Sequence, residues 1–441
     1  MKRPIVITLL VLALLFVLAG IGGVVFFATR GSGDFFTGRM TDHATIEENK
    51  ILKVDAETPV KLKVVNGAGN VTIIGADVTT VQVDVVKTAY ATSQARADEE
   101  VKKIKYDIDQ AGNTITLTYE YPTIRTSPPN IPTFNTNSDT VDFVVTVPTE
   151  ATIDINTKLG EVSVTSIKGN VAIDNSFGDI SVQNIEGALT VSNNSGEIEA
   201  TGIKAGSDNI ELNSDFGNIT LEQANAANIT FDSNSGKVTL KDVNATGDFS
   251  SNSDFGDTKF ENGTAASVTI ESKSGKVALT KVKVSKLIKV QDDFGDITLT
   301  QAMATSYDLH TNSGSVTVDG AKGTLKAYTD FGNIEVTNAQ AVTLNLVTKS
   351  GSVEFSGSLG TGPHTVATDF GNITLALPTD SKLDVDLKTD FGKIKSDLPI
   401  TVTVTGSSSS DKEEIAGAVN GGGAQLTVKT NSGSININAM K

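Results

Sequence analysis

Side chains capable of catalysis are few and scattered along this sequence. It contains no cysteine and three histidines, His43, His310 and His364, which have the spacing neither of metal ligands nor of a catalytic triad. Its serines form no G-x-S-x-G elbow and no S-x-x-K motif paired with a base. The adjacent carboxylates Asp292 and Asp293 belong to no larger acidic cluster, because the other acidic residues are spread along the evenly spaced repeats. We therefore identify no catalytic, cofactor-binding or metal-binding residue and expect no enzymatic activity.

Charged and amide side chains instead recur in columns around regularly spaced glycines. Two residues before each glycine the column contains Asp254, Lys273, Asp293, Asn312, Asp330, Lys349 and Asp369, and one residue after it Lys237, Asp257, Lys276 and Asp296. If each repeat is one coil of a stack, opposite charges on neighbouring coils lie about 5 Å apart and can pair. We interpret the columns as charge pairs and turn caps, and leave open whether the Asp-rich turns bind calcium.

The glycines themselves define the repeat. The following glycines lie 18 to 21 residues apart, except before the last: Gly160, Gly178, Gly196, Gly217, Gly236, Gly256, Gly275, Gly295, Gly314, Gly332, Gly351, Gly371, Gly392 and Gly433. Apolar residues recur two and four positions after each glycine, and seven and five positions before it, as in Ile210/Leu212 and Ile219/Leu221 around Gly217. This alternation predicts two short strands per repeat, each with one buried face. Stacked repeats bury these faces together, which predicts an all-β parallel β-helix or solenoid of about 19-residue, two-strand coils.

The residue before the glycine alternates between phenylalanine and serine along the chain. The series runs Phe177, Ser195, Phe216, Ser235, Phe255, Ser274, Phe294, Ser313, Phe331, Ser350 and Phe370, and breaks at Phe391. We interpret the alternation as a packing device, in which a serine beside each ring leaves it room, and not as an aromatic binding strip.

The N-terminus carries a membrane signal. Ile5–Ala28 is a 24-residue apolar run interrupted only by Thr8 and preceded by Lys2 and Arg3, so we predict one transmembrane helix with a cytoplasmic N-terminus and the bulk of the chain extracytoplasmic. A cleaved signal peptide is the alternative. We divide the chain into a cytoplasmic stub and helix (1–30), a spacer (31–50), a first coil around Gly69 with a small α+β cap containing a short helix (51–150), and the solenoid repeats (151–441). The net charge of −16 argues against nucleic acid as a partner.

The repeated Ser-Gly-x-Ile/Val and Phe-Gly-Asp/Asn-Ile units resemble the bacterial putative-adhesin family of membrane-anchored β-solenoid domains, of which Asn193–Ile198 is one example. The resemblance covers about residues 50 to 441 and implies a β-solenoid with no catalytic residues and no cofactor. We expect an adhesin-like surface interaction or structural protein whose partner is a cell-wall polymer, an envelope protein or another cell surface. An envelope-stress sensor or accessory protein is the alternative, and a polysaccharide-active enzyme is a third hypothesis.

Overall fold

The structure is a computed structural model that describes residues 42–120, 139–406 and 412–440. The predicted membrane helix Ile5–Ala28 lies outside the described residues, and within the described ranges no helix is long and apolar enough to cross a membrane. One sheet runs through the described chain, and it is parallel except at its two ends.

The N-terminal part contains the elements β1 (Asp42–Lys53), β2 (Val60–Asn66), β3 (Val71–Ala76), β4 (Thr80–Ala91), α1 (Gln94–Glu100), a 3-10 turn (Val101–Lys103), β5 (Asp107–Ala111), β6 (Thr114–Tyr119) and β7 (Thr140–Pro148). The predicted spacer ends in β1, where Asp42–Lys53 pairs antiparallel with β4. This strand was not predicted, because most of its residues are polar and an edge strand has to bury only part of one face.

The central coils are formed by β8 (Ala151–Leu159), β9 (Val162–Lys168), β10 (Val171–Phe177), β11 (Ile180–Glu186), β12 (Leu189–Ser195), β13 (Ile198–Thr201), β14 (Ile210–Phe216), β15 (Ile219–Ala226), β16 (Ile229–Ser235), β17 (Val238–Ala245), β18 (Asp248–Phe255), β19 (Thr258–Ala265), β20 (Ser267–Ser274), β21 (Val277–Val284), β22 (Leu287–Phe294), β23 (Ile297–Thr300), β24 (Ser306–Ser313), β25 (Val316–Asp319), β26 (Lys322–Phe331), β27 (Ile334–Ser350), β28 (Val353–Leu359), β29 (His364–Phe370) and β30 (Ile373–Pro378). The C-terminal strands are β31 (Leu383–Phe391), β32 (Ile394–Ser396), β33 (Ile400–Gly406), β34 (Glu413–Val419), β35 (Ala424–Ser432) and β36 (Ile435–Met440).

Each repeat forms one coil, as the charge columns predict. β14 pairs in parallel with β12 and β16, so that Phe216 lies between Ser195 and Ser235 of the neighbouring coils. The predicted inward positions are buried in coil after coil, and the residue seven positions after the glycine, such as Val243, is buried with them. Just before that residue the backbone turns through a left-handed conformation, as at Asp242 (φ 56°). The prediction of a solenoid of about 19-residue coils is confirmed.

Each of the regularly spaced glycines closes the corner between the two strands of its coil and stacks on a glycine of the neighbouring coil. We call them anchor glycines. A Cβ added at Gly256 would lie 2.0 Å from the carbonyl oxygen of Gly236 in the preceding coil. Gly256 also has a φ of +138°, a backbone conformation that other residues rarely adopt. The coils can therefore stack at this spacing only if the corner lacks a side chain.

At both ends of the stack the order of the coils differs from their order along the chain, and the outermost strands pair antiparallel. β2 and β3 lie between the coil formed by β6 and β7 and that formed by β8 and β9, although β6 and β7 come later in sequence. At the other end β35 pairs with both β29 and β31, so the last repeat of the sequence lies inside the stack. Antiparallel pairing of β4 with β7, of β5 with β6 and of β34 with β31 covers the outermost strands. Such covers prevent edge-to-edge aggregation.

Candidate interaction surface

A column of polar side chains lies buried on the inner side of the glycine corners, three residues before each anchor glycine. We call it the inner polar column. Its members include Asn66, Thr157, Asn175, Asn193, Ser214, Ser233, Ser253, Ser272, Asp292, Thr311, Thr329, Thr348, Thr368, Thr389 and Thr430. The threonines after Asp292 each donate to an anchor-glycine carbonyl, as Thr329 Oγ1 does to Gly314 at 2.9 Å. These threonines therefore satisfy backbone carbonyls at the corner, where a buried polar group without a partner would be costly. The hydroxyls of Thr157, Ser214, Ser233 and Ser253 are buried without a hydrogen-bond partner.

A second column lies on the outer side of the same corners, and it is aromatic. The phenylalanines before the anchor glycines are 55 to 65% exposed, and we call them the phenylalanine strip: Phe177, Phe216, Phe255, Phe294, Phe331, Phe370 and Phe391. The interpretation of the alternation as a packing device does not agree with this exposure, since the rings lie outside the corner. Every second residue of the strand is buried as far as the inner polar column. The chain then turns at the glycine, so the phenylalanine, which is the next alternate position, lies outside the corner.

The strip is regular through its whole length. Neighbouring coils in a parallel sheet are about 4.8 Å apart, so successive rings are spaced by about 9.6 Å and the strip is roughly 60 Å long. A serine lies between each pair of rings. The break at Phe391 disappears in space because Ser432, from the last repeat, pairs with both Phe370 and Phe391.

The acidic residue before most strip phenylalanines is held by the coil above. Asp254 pairs with Lys273 at 2.6 Å, and Asp293 accepts a hydrogen bond from Asn312 at 3.0 Å. The same pairing joins Asp215 to Asn234 and Asp369 to Asn431. The predicted charge pairs between neighbouring coils are thus present, with asparagine in place of lysine at several levels.

On the other side of the strip, the residue after the anchor glycine caps the next coil. In the phenylalanine-bearing coils from Phe177 to Phe370 this residue is aspartate or asparagine, and its Oδ1 accepts the backbone N–H at the equivalent position of the serine-bearing coil, as Asp257 does from Lys276 at 2.8 Å. Asp296 and Asn333 repeat the contact to Ser315 and Ser352. Phenylalanine-bearing and serine-bearing coils therefore form pairs, and the polar side chains beside the rings are already engaged.

Hydrogen bonds shift the pKa values of charged side chains beside the strip around Phe331. Hydrogen bonds from Lys349 and Tyr328 hold the pKa of Asp330 below its usual range, and the bond to Asp330 raises the pKa of Lys349. Tyr328 also stacks on His310, with ring centroids 4.8 Å apart. These contacts fix the surface beside the strip at this level.

The groups that the sequence offered for catalysis do not meet. His43 lies in β1 beside Tyr90, whereas His364 is buried and its Nδ1 accepts the N–H of Leu344 at 3.2 Å. Asp292 is buried in the inner polar column, while the neighbouring Asp293 pairs outward with Asn312. Within residues 42–120, 139–406 and 412–440, no three His, Cys, Asp or Glu side chains are grouped closely enough to hold a metal ion.

Asp292 is the acidic member of the inner polar column. Its Oδ1 accepts the N–H of Phe294 at 3.2 Å, and its Oδ2 is buried. Burial raises the pKa of Asp292 to about 6, against the lowering effect of hydrogen bonds from the backbone of Phe294 and Asp293. The equivalent Thr311 in the next coil donates to Gly295, which an ionised carboxylate cannot do.

No curated protein matches the chain. Among solved structures, it is similar to a putative cell adhesion protein from Clostridium sporogenes, at 10% identity over 90% of this chain and 100% of that one, with a TM-score of 0.19. It is also similar to a putative lipid binding protein from Parabacteroides distasonis, at 15% identity over 65% and 98% of the two chains, with a TM-score of 0.32. A putative adhesin from Bacteroides fragilis is 13% identical over 67% and 99%, with a TM-score of 0.25.

The model of one family matches the chain in three successive segments. These are residues 75–216, 204–287 and 286–438, which together take in the solenoid and most of its caps. The chain belongs to the Toastrack DUF4097 family.

Proposed function

We propose that this protein is a membrane-anchored, extracytoplasmic interaction rod that binds its partner along the phenylalanine strip. The observation that carries the proposal is the exposure of seven phenylalanines in one continuous column. A large exposed apolar surface is costly in a soluble domain and typically marks a binding site. Ile5–Ala28 is the proposed membrane anchor, which would project the rod outward.

The repetition of the strip suits a partner that is itself extended. Single rings bind weakly, but several identical contacts along one rod act together, so the combined affinity greatly exceeds that of each contact. A cell-wall polymer, an envelope protein or another cell surface can each offer such an extended surface. The protein would then act as an adhesin-like surface module.

The test compares the full chain in detergent micelles with the strip variant F255S/F294S/F331S. The probes are purified cell-wall polymer, whole cells that lack the protein, and beads coated with the full chain. We expect the strip variant to bind at least one of these surfaces tenfold less than the wild type. Equal binding of both proteins to all three surfaces would overturn the proposal.

The matched control replaces exposed apolar side chains that lie away from the strip. Ile51 and Met303 are 65% and 51% exposed, comparable to the strip phenylalanines. The variant I51S/M303S removes a similar kind of apolar surface and should bind as the wild type does. A loss as large as that of the strip variant would show that general hydrophobicity, and not the strip, governs binding.

A further inference from the structure

The alternation of ring and serine along the strip is more regular than binding to an unrelated partner requires. A ring stands on every second coil and a serine on the coil between, from Phe177 to Phe391. Folding does not demand this pattern, because Phe177 lies directly beside Leu159 on the neighbouring coil and both are exposed. The pattern therefore calls for an explanation outside the coil.

We propose that the phenylalanine strip docks against the same strip of a second copy of this chain, displaced by one coil, so that the rings of each copy fill the serine gaps of the other. The inference rests on the proposed function and names its partner. Pairing two copies about a two-fold axis is the commonest closed arrangement of identical chains. An axis along the rods would keep every coil at the same level and set ring against ring, so the displacement requires an axis perpendicular to the rods. This axis makes the rods antiparallel, and their N-terminal anchors then lie at opposite ends, which fits rods projecting from two facing membranes.

The spacing of the rings fits this arrangement. Successive rings are about 9.6 Å apart, so a ring inserted between them lies about 4.8 Å along the axis from each. With a small sideways offset, its centroid falls within the range of about 4.5 to 7 Å that is favourable for aromatic pairs. The serine between two rings is small enough to leave that gap open.

The charges beside the strip are also complementary at a displacement of one coil. Phenylalanine-bearing coils carry aspartate just before the ring, as at Asp254, Asp293 and Asp330, and serine-bearing coils carry Lys273, Asn312 or Lys349 at the same position. The displacement places the aspartates of one copy opposite the lysines and asparagines of the other. Rods aligned without it would set ring against ring and aspartate against aspartate.

The apolar area is also sufficient for a stable pair. A phenylalanine side chain can bury about 200 Å², so seven rings exposed by 55 to 65% offer roughly 800 Å² per copy. This equals the area that each partner contributes to a protein–protein interface of standard size. A polysaccharide would need hydrogen-bonding groups beside the rings, and most of those are already engaged within the coil pairs.

The test is sedimentation velocity of the full chain in detergent at physiological ionic strength. We expect the wild type to form dimers. The strip variant F255S/F294S/F331S should be monomeric at the same concentration, with a dissociation constant at least tenfold higher than that of the wild type. The variant S274F/S313F adds apolar surface but fills two gaps, and it should also dimerise at least tenfold more weakly. Dimerisation of S274F/S313F as tight as that of the wild type would overturn the inference.

Orientation is tested by nitroxide labels, since the chain has no cysteine of its own. A label at N194C lies near one end of the strip, so antiparallel copies place the two labels roughly 40 to 55 Å apart at about 4.8 Å per coil. Labels within 20 Å would contradict the antiparallel pair. A wild type that stays monomeric yet binds wall polymer through the strip would overturn the inference and leave the proposed function standing.

Discussion

Two columns of side chains flank the glycine corners along the whole solenoid, and they differ in what surrounds them. The inner polar column is buried, and its asparagines and the threonines after Asp292 donate to backbone carbonyls, as Thr329 does to Gly314. The phenylalanine strip lies two residues further along each strand and is largely exposed. Polar groups inside and rings outside invert the usual arrangement. The inversion indicates that the inner column serves folding and the outer column serves binding, so substitutions in the two should have separate effects.

The largest expected effect comes from the corner that separates the columns. In Gly256→Ala the new Cβ would lie 2.0 Å from the carbonyl oxygen of Gly236, so the coils must move apart. We expect a loss of more than about 3 kcal/mol of stability, measured as lost hydrogen-exchange protection in the coils around residue 256. Gly112→Ala is the control, because nothing lies within 4 Å of its Cβ and its φ of +63° alone costs about 1 to 2 kcal/mol. Equal protection in both variants would contradict the role of the corner.

Asp292 should show the next largest effect, and its sign is unusual for an aspartate. Its folded-state pKa of about 6 lies above the value of about 3.9 for an unfolded chain, so ionisation opposes folding at neutral pH. Stability should rise as the pH falls from 7 through 6 towards 4, and Asp292→Asn should gain up to about 3 kcal/mol at pH 7. Thermal unfolding of both proteins across this pH range measures the difference.

The control for that experiment is Asp293→Asn, which changes the adjacent, outward-facing carboxylate. It removes an acceptor for Asn312 but leaves Asp292 in place. The acid-dependent gain in stability should persist in Asp293→Asn and be smaller in Asp292→Asn, where only other buried carboxylates such as Asp139 and Asp142 still contribute to it. If both variants kept the same pH dependence as the wild type, the buried carboxylate would not be its source.

A smaller loss is expected within the inner polar column. Thr329→Val keeps the shape of the buried side chain but removes its hydrogen bond to Gly314, which should cost about 1 to 2 kcal/mol. Thr324→Val, on the exposed side of the same strand, should change the free energy of unfolding by less than about 0.5 kcal/mol. Hydrogen exchange at the coil of β26 distinguishes the two. Equal losses would mean that the column does not stabilise the corner.

The smallest effect on stability is expected in the strip itself. Phe255 is 61% exposed, so Phe255→Ser should alter the free energy of unfolding by less than about 0.5 kcal/mol. The same substitution, combined with F294S and F331S, should abolish association. A strip variant that unfolds more easily than Thr329→Val would assign the rings to folding and erase the contrast between the columns.

The parts of the structure that could be predicted from the sequence are the strands whose buried side chains recur at every second residue. Alternating residues such as Ile210 and Leu212 predicted the strands and the coil register correctly, because burial of one face repeats identically in each coil. The same rule would place Phe216 inside if it were extended past the strand, since it takes no account of the turn at the glycine, and the exposure of the rings was therefore not predicted. The inner polar column was missed because threonine and serine at an inward position resemble ordinary turn residues.

The order of coils at the C-terminus could not be read from order along the chain. Spatial neighbours depend on which strand edge remains open, and β35 enters between β29 and β31 after a long excursion. One signal was available. The alternation of phenylalanine and serine breaks between Phe370 and Phe391, and Ser432 restores it only if the last repeat lies between them.

Mixing two variants that each fail to self-associate tests the central idea most directly. F255S/F294S/F331S has serines in place of three strip rings, and S274F/S313F has rings in place of two of the serines between them, so each should be monomeric alone. If the strips interdigitate, an equimolar mixture should form a one-to-one pair in sedimentation velocity, because the rings of one variant fit the gaps of the other. Two proteins that stay monomeric when mixed, while the wild type dimerises, would contradict the proposed fit of ring into gap.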